Sequence, residues 1–498
     1  MTKTRTKTLT VAAAISCALI ATAHAAMTIS NTRTKHVTCT GGVCTPTRSN
    51  ANLNVGDLQT MLASSDVSVK SNAAAPDIGI LDPLTWASTH RLTLDAYHSI
   101  HVRAPVAVEG TAGVTLTTSD GASGGDYTFN TATSGAITFW DTASSLVING
   151  ESYTLVNDIK TLVSDLTSNP GPYALAKSYD ASADGTYTNS PIESFGGTLE
   201  GLGNQILNLT VQVSQGRHSY AGLVSVLSGT VRDIGLANAN ISTTFGLAGA
   251  IAAYNPSGTI IHASASGTVT AGGKDGSAGG LVGEDLGPIT DSGAGVTVEA
   301  AHAGGLVGRN EGDISLCRAT GSVSASTNAG GLVGWNLARG ISQSYAAGSA
   351  TAIQEGASAG GLVGMNQSNA WIRESYATGP ATGNVPNTQA GGLVGVNKLK
   401  GNIQRTYSTG FVSVVSGPAG GLIGVDRASA DITYWNLDTS GIADPNQGAG
   451  SPYGDRAITG LTDAQLKSGL PAYFEPDIWG QSAGINNGWP YLLANPPQ

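Results

Sequence analysis

The phrase AGGLVGWN, starting at Ala329, recurs almost letter for letter at Ala303, Ala359 and Ala390, and as close variants at Ala278 and Ala419. Two degenerate units precede these, at Tyr220 and Ala248, and successive starts lie 25 to 31 residues apart. A chain that repeats at this period folds as stacked copies of one small unit, because one unit alone cannot bury its apolar side chains.

Slot by slot, the repeat defines what is buried. Three residues after the start stand Leu223, Ile251, Leu281, Leu306, Leu332, Leu362, Leu393 and Leu422. A second aliphatic slot reads Ile234, Ile260, Ile289, Ile314, Ile341, Ile372, Ile403 and Ile432. Apolar positions do not recur at three-four spacing, and Gly accounts for 68 of the 498 residues, which excludes a helical solenoid. Short strands broken by Gly and Asn turns remain. The expected fold is all-β: a right-handed parallel β-helix, or solenoid, with rungs about 4.8 Å apart. Glycines beside the Leu slot, and again at Gly267, Gly321, Gly348, Gly379 and Gly410, allow close backbone approach at the coil corners.

Two further slots are polar or aromatic. The phrase ends in Asn255, Asp285, Asn310, Asn336, Asn366, Asn397 and Asp426. Stacked Asn side chains suit a hydrogen-bonded structural ladder, formed by Asn255, Asn310, Asn336, Asn366 and Asn397. A Ca²⁺ array would need mostly carboxylates there. Tyr345, Tyr376 and Tyr407 share one slot. If exposed they are candidates for sugar binding; if buried they are core, and packing is the preferred reading.

The start of the chain reads as an export signal: Lys3, Arg5 and Lys7, an apolar run from Val11 to Ala23, then Ala23-His24-Ala25 as a cleavage site. The run is too short to span a bilayer, and no later segment is apolar enough to do so. Removing residues 1–25 takes three of the 24 basic residues and none of the 34 acidic ones, leaving a net charge near −13. There is no basic stripe, which argues against nucleic acid as a partner. In an exported chain Cys39 and Cys44 can close a short loop as a disulfide, whereas a metal would need more ligands; Cys317 reads as a lone buried thiol. No cofactor and no metal is expected.

These residues resemble the GLUG motif repeats of exported bacterial surface proteins, over about Phe195 to Trp435. The stretch GTLEGLGNQILNLTV from Gly197 resembles the segment that opens such arrays. YWNLDTSG from Tyr434, GLTDAQL and NNGWPYL resemble the terminal cap. Upstream, NLNVGDLQTML, LTWASTHRLTLDAYHSIHVRAPVAVEG and GVTLTT look like the β-helical part of filamentous haemagglutinin-like exoproteins. That resemblance implies two-partner secretion with an outer-membrane partner. The expected domains are a signal peptide at 1–25, a haemagglutinin-like region at 26–150, a connector at 151–194 with a short helix near 155–166, the repeat at 195–440 and a cap at 441–498.

Some GLUG proteins are zinc peptidases, but this chain has no H-E-x-x-H, and His98 and His101 fall on opposite faces of an expected strand. The rival enzyme reading is a polysaccharide lyase or glycoside hydrolase, which needs paired carboxylates on neighbouring rungs. Asp285, Asp291, Glu311 and Asp313 are the candidates, centred on the irregular unit at Ala278. The preferred reading is non-enzymatic: an adhesin or cell-surface interaction protein, secreted, surface-held or periplasmic, with a surface glycan or protein as partner.

Overall fold

A computed structural model of the chain describes residues 26–497, apart from 131, 132, 167–170, 215, 217 and 218. The expected signal peptide and its cleavage site therefore lie outside the described residues, save for Ala26 just beyond the cut. The chain coils into a parallel β-helix of about 15 turns. The described residues contain three α-helices, Val55–Leu62, Ile159–Leu166 and Asp463–Leu466.

The coil begins with a five-stranded parallel sheet built from Ala51–Asn54, Ala26–Ser30, Asp77–Ile80, Ile100–Val102 and Tyr127–Phe129. An antiparallel hairpin, Val37–Thr40 with Val43–Pro46, carries the Cys39–Cys44 disulfide across its rungs. The segment NLNVGDLQTML is not all strand. Asn54 caps a helix by accepting from Gly56 N and Asp57 N, and Val55, Leu58 and Leu62 are buried on its inner face. In the connector, Glu151–Val156 is a strand and the helix follows at Ile159–Leu166.

Each repeat places its Val-Gly-x-Asn strand on a ten-stranded sheet that runs from Ile192–Phe195 to Ala449–Ser451. Within it the register is parallel and constant, so Val282, Val307, Val333, Val363 and Val394 face one another rung by rung. Leu281, Leu306, Leu332, Leu362, Leu393 and Leu422 are fully buried beneath it. Alignment of identical side chains at each level lets every rung bury its apolar pair against copies of itself.

The second aliphatic slot shifts at both ends of the array. Val231, not Ile234, pairs with Ile260, and Ala430, not Ile432, pairs with Ile403. Ile432 instead joins a corner column of left-handed residues that recurs every turn: Asp233, His262, Asp291, Leu316, Gln343, Glu374, Arg405 and Ile432, all with φ between 40° and 57°. The corner is part of the coil, since it is present whatever side chain occupies it.

The Asn column forms a buried ladder. Nδ2 of Asn310, Asn336, Asn366 and Asn397 donates to the next residue's Oδ1, at 2.8, 2.9, 3.0 and 3.0 Å, ending on Asp426. Asn255 donates likewise to Asp285 at 2.6 Å, but the ladder breaks there because a carboxylate has no N–H to pass on. Asp285 Oδ2 is buried without a partner.

Burial raises the Asp285 carboxyl to about 8, against hydrogen bonds from Asn255 and Gly287 that lower it. The folded chain thus holds a proton that the unfolded chain releases, and stability falls as pH rises from the ordinary 3.8 through about 8. Asp285→Asn removes this titration and supplies the missing donor. The variant is expected to gain about 1–3 kcal/mol over wild type at pH 8. The gain should shrink to nothing near pH 4. Thermal melts across pH measure it, and a difference independent of pH would refute it.

Candidate functional site

The residues singled out in the sequence do not form one site. Asp285 is sealed in the ladder with no exposed surface. Glu311 pairs with Arg309 at 3.0 Å and Asp313 with Arg339 at 3.1 Å, while Asp291 stands apart on the corner column. Two carboxylates flanking one glycosidic bond are therefore not assembled from these four.

Tyr345, Tyr376 and Tyr407 stack with centroids 5.0 and 5.1 Å apart and rings within 5° of parallel. Tyr434 continues the column. The C-terminal segment covers it through Phe474 and Trp479, and Tyr407 donates to Pro490 O. No ring face of the three is left for a sugar, since each is at most 2% exposed. Cys317 lies buried beside this face, and burial pushes its thiol up to about 12.

Upstream, the same outward column changes character. Tyr345 is preceded, one residue per rung, by Arg318, Gly293, Ser264, Gly235 and Gln205. The C-terminal segment reaches this column at Asn495, whose Nδ2 donates to Gln343 O and to Cys317 O beside Arg318, and further upstream the floor is small. A Cβ on Gly293 would lie 3.1 Å from the Arg318 side chain, and one on Gly235 would lie 2.9 Å from Gln205 Cγ. The two glycines thus seat two long side chains, which lie over the floor from opposite ends. Phe129 and Asn130, from the first part of the coil, form the wall of this cleft, and Asp291 and His262 form its corner. Its volume is about 340 Å³, at the small end of ligand sites.

A charge network fixes the wall to the floor. Glu200, fully buried, accepts from Leu202 N at 2.7 Å and from the Tyr127 hydroxyl at 2.8 Å. Arg232 donates to Asp233 at 2.7 Å and to Asp126 at 3.0 Å, lies 3.4 Å from Glu200, and stacks 3.9 Å over the Tyr127 ring. Burial, then the Asp233 carboxylate, holds the Glu200 carboxyl well above the ordinary range, although Arg232 lowers it. His262 spans three rungs, with Nδ1 3.1 Å from Asp233 and Nε2 3.4 Å from Asp291. Burial pulls His262 down, but these two carboxylates outweigh it and raise it to about 10. As an imidazolium engaged on both nitrogens, it is not available as a base near neutral pH.

The sequence missed Glu200, Arg232, Asp233 and His262. Glu200 lies in the segment that opens the array and the other three in the degenerate first units, and the partners of Glu200 and Arg232 in the wall are 73 and 106 residues away. The signal that could have found them is the corner register itself, which puts an acid, a His and an acid on successive turns.

A second surface lies on the ten-stranded sheet. Its outward column reads Val226, Tyr254, Glu284, Arg309, Trp335 and Met365, all half-buried, followed by Val396 and Val425. Arg309 sits 5.3 Å from the Trp335 ring, and the His302 ring lies 4.8 Å from it. Burial and the nearby Arg309 lower His302 to about 4, so it is neutral at physiological pH.

Residues 299–324 match the family model described as the GLUG motif, one unit of the repeat. A crystal structure described as that of a "putative immunoglobulin A1 protease from Bacteroides ovatus" is 18% identical, with a TM-score of 0.39, over 69% of this chain and 93% of that one. No curated protein matches the chain.

Proposed function

We propose that this chain is an exported, non-enzymatic β-helix protein acting as an adhesin or cell-surface interaction protein. Its partner, a surface glycan or protein, is met along the outward column of the ten-stranded sheet. That column carries the reading: aromatic, aliphatic and charged side chains stand one per rung, about 4.8 Å apart, on strands paired in constant parallel register. A row of weak contacts on a rigid support gains by effective concentration and loses little entropy on binding. Export is supported by the signal-like start. The likeness of residues 37–120 to haemagglutinin-like exoproteins adds an outer-membrane secretion partner, with the protein released or held at the surface.

The test is an array of glycans and matrix proteins probed with the chain from residue 26, beside a polysaccharide depolymerisation screen. Ala329 pairs with Ala359 in register, so deleting residues 329–358 removes one turn and leaves matching interfaces. The shortened rod is expected to fold and to bind its partner several-fold more weakly. Unchanged binding would remove the extended face from the account. Cleavage of a polysaccharide that is lost on alanine substitution of Asp285, Asp291, Glu311 or Asp313 would replace the adhesin with a lyase or hydrolase.

A further inference from the structure

We propose that the corner cleft between the first part of the coil and the repeat is a binding site for a carboxylated sugar, with Arg318 as its anchor. The proposal rests on the adhesin reading only in that it names one ligand class for it. The cleft itself is independent of the sheet face.

The chemistry follows from what each group has left to offer. His262 is already held by Asp233 and Asp291, and Arg232 by Asp126 and Asp233. Arg318 differs: among the described residues its guanidinium has no carboxylate within ion-pairing distance and makes no side-chain hydrogen bond. It is half-buried, and its side chain passes over Gly293 along the cleft floor. A guanidinium so placed suits a carboxylate, which it can take in two parallel hydrogen bonds.

The other groups select what bears that carboxylate. Asp291, with a side chain 43% exposed, borders the same cleft. Its charge disfavours a dianion such as phosphate more than a singly charged carboxylate, and it accepts hydrogen bonds from hydroxyls. Ser264 on the floor and the Gln205 carboxamide at the far end add further hydroxyl partners. Phe129 offers an apolar wall to a C–H face. One carboxylate, several hydroxyls and one apolar face together describe a uronate or a sialate more closely than a simple organic acid. Gly235 and Gly293 carry no side chain, which lets Gln205 and Arg318 lie low over the floor; two rungs beyond Gly293 the same column carries tyrosines.

The experiment uses the chain from residue 26, with saturation-transfer NMR and calorimetric titration. The probes are glucuronate, N-acetylneuraminate, glucose, acetate and inorganic phosphate. One of the two acid sugars is expected to bind at least tenfold more tightly than glucose, acetate or phosphate, and more weakly as salt rises. Arg318→Gln is expected to lose tenfold or more with its melting curve unchanged. Phe129→Ala, a change in the wall rather than the anchor, is expected to weaken both sugars several-fold. Failure of both acid sugars to bind, equal binding of glucose or acetate, or full affinity in Arg318→Gln and Phe129→Ala would each overturn the proposal. Surface binding on the array that persists while the acid sugars fail would sink the cleft and spare the adhesin; the reverse pattern would do the opposite.

Discussion

Leu332→Asp is expected to lose more than about 4 kcal/mol of stability, enough to separate the array into two parts that no longer melt together. Leu332 has no exposed surface, and its backbone is held between Leu306 and Leu362 by hydrogen bonds of 2.8 Å on either side. The side chain therefore points into a layer with Leu above and below it, where a carboxylate would lose its hydration. The damage is not confined to one rung, because in a stack each unit is stabilised mainly by its two neighbours. Arg339→Ala provides the contrast. Its side chain is 64% exposed and, among the described residues, pairs with Asp313 alone, an interaction worth about 0–1 kcal/mol. Circular dichroism melts of the two variants beside wild type decide the matter. Similar melting temperatures would mean that the Leu slot does not face the core.

That slot was legible because the repeat is nearly literal there: a phrase copied with one aliphatic residue in place defines a buried layer. Legibility failed where copying stopped. Counting from the start of each unit put Ile234 and Ile432 in the second slot, when hydrogen-bond register puts Val231 and Ala430 there. The same slip hid Tyr434 from the tyrosine column. The helix at Val55–Leu62 was readable in principle, since Asn54 is a good cap and Val55, Leu58 and Leu62 fall on one face. A likeness to β-helical exoproteins outweighed that local pattern. The cleft was the hardest to see. Two of its determinants are glycines, which act by having no side chain, and its wall comes from a segment more than 70 residues away.

The wall gives the second large effect. Arg232→Ala is expected to cost about 3–5 kcal/mol, because it strips the buried Asp233 of one of the two cations it faces, removes the guanidinium beside Glu200 and uncovers the Tyr127 ring. The guanidinium serves Asp233, Asp126 and Glu200 and covers the Tyr127 ring, and the Asp233 side chain is only 1% exposed. Arg232→Lys should recover little, because a single ammonium cannot reproduce the fork and the stacked plane together. Arg232→Ala combined with Asp233→Asn should be more stable than Arg232→Ala alone at pH 7, because the double variant no longer buries the Asp233 charge without the guanidinium. Loosening should also be local. Asp126 and Tyr127 belong to the first part of the coil and Arg232 to the repeat, so hydrogen exchange should quicken at residues 126–130 before it does at the Leu layers. An Arg232→Ala chain that melts with wild type, or whose residues 126–130 remain as protected as before, would show that this network does not hold the wall against the repeat.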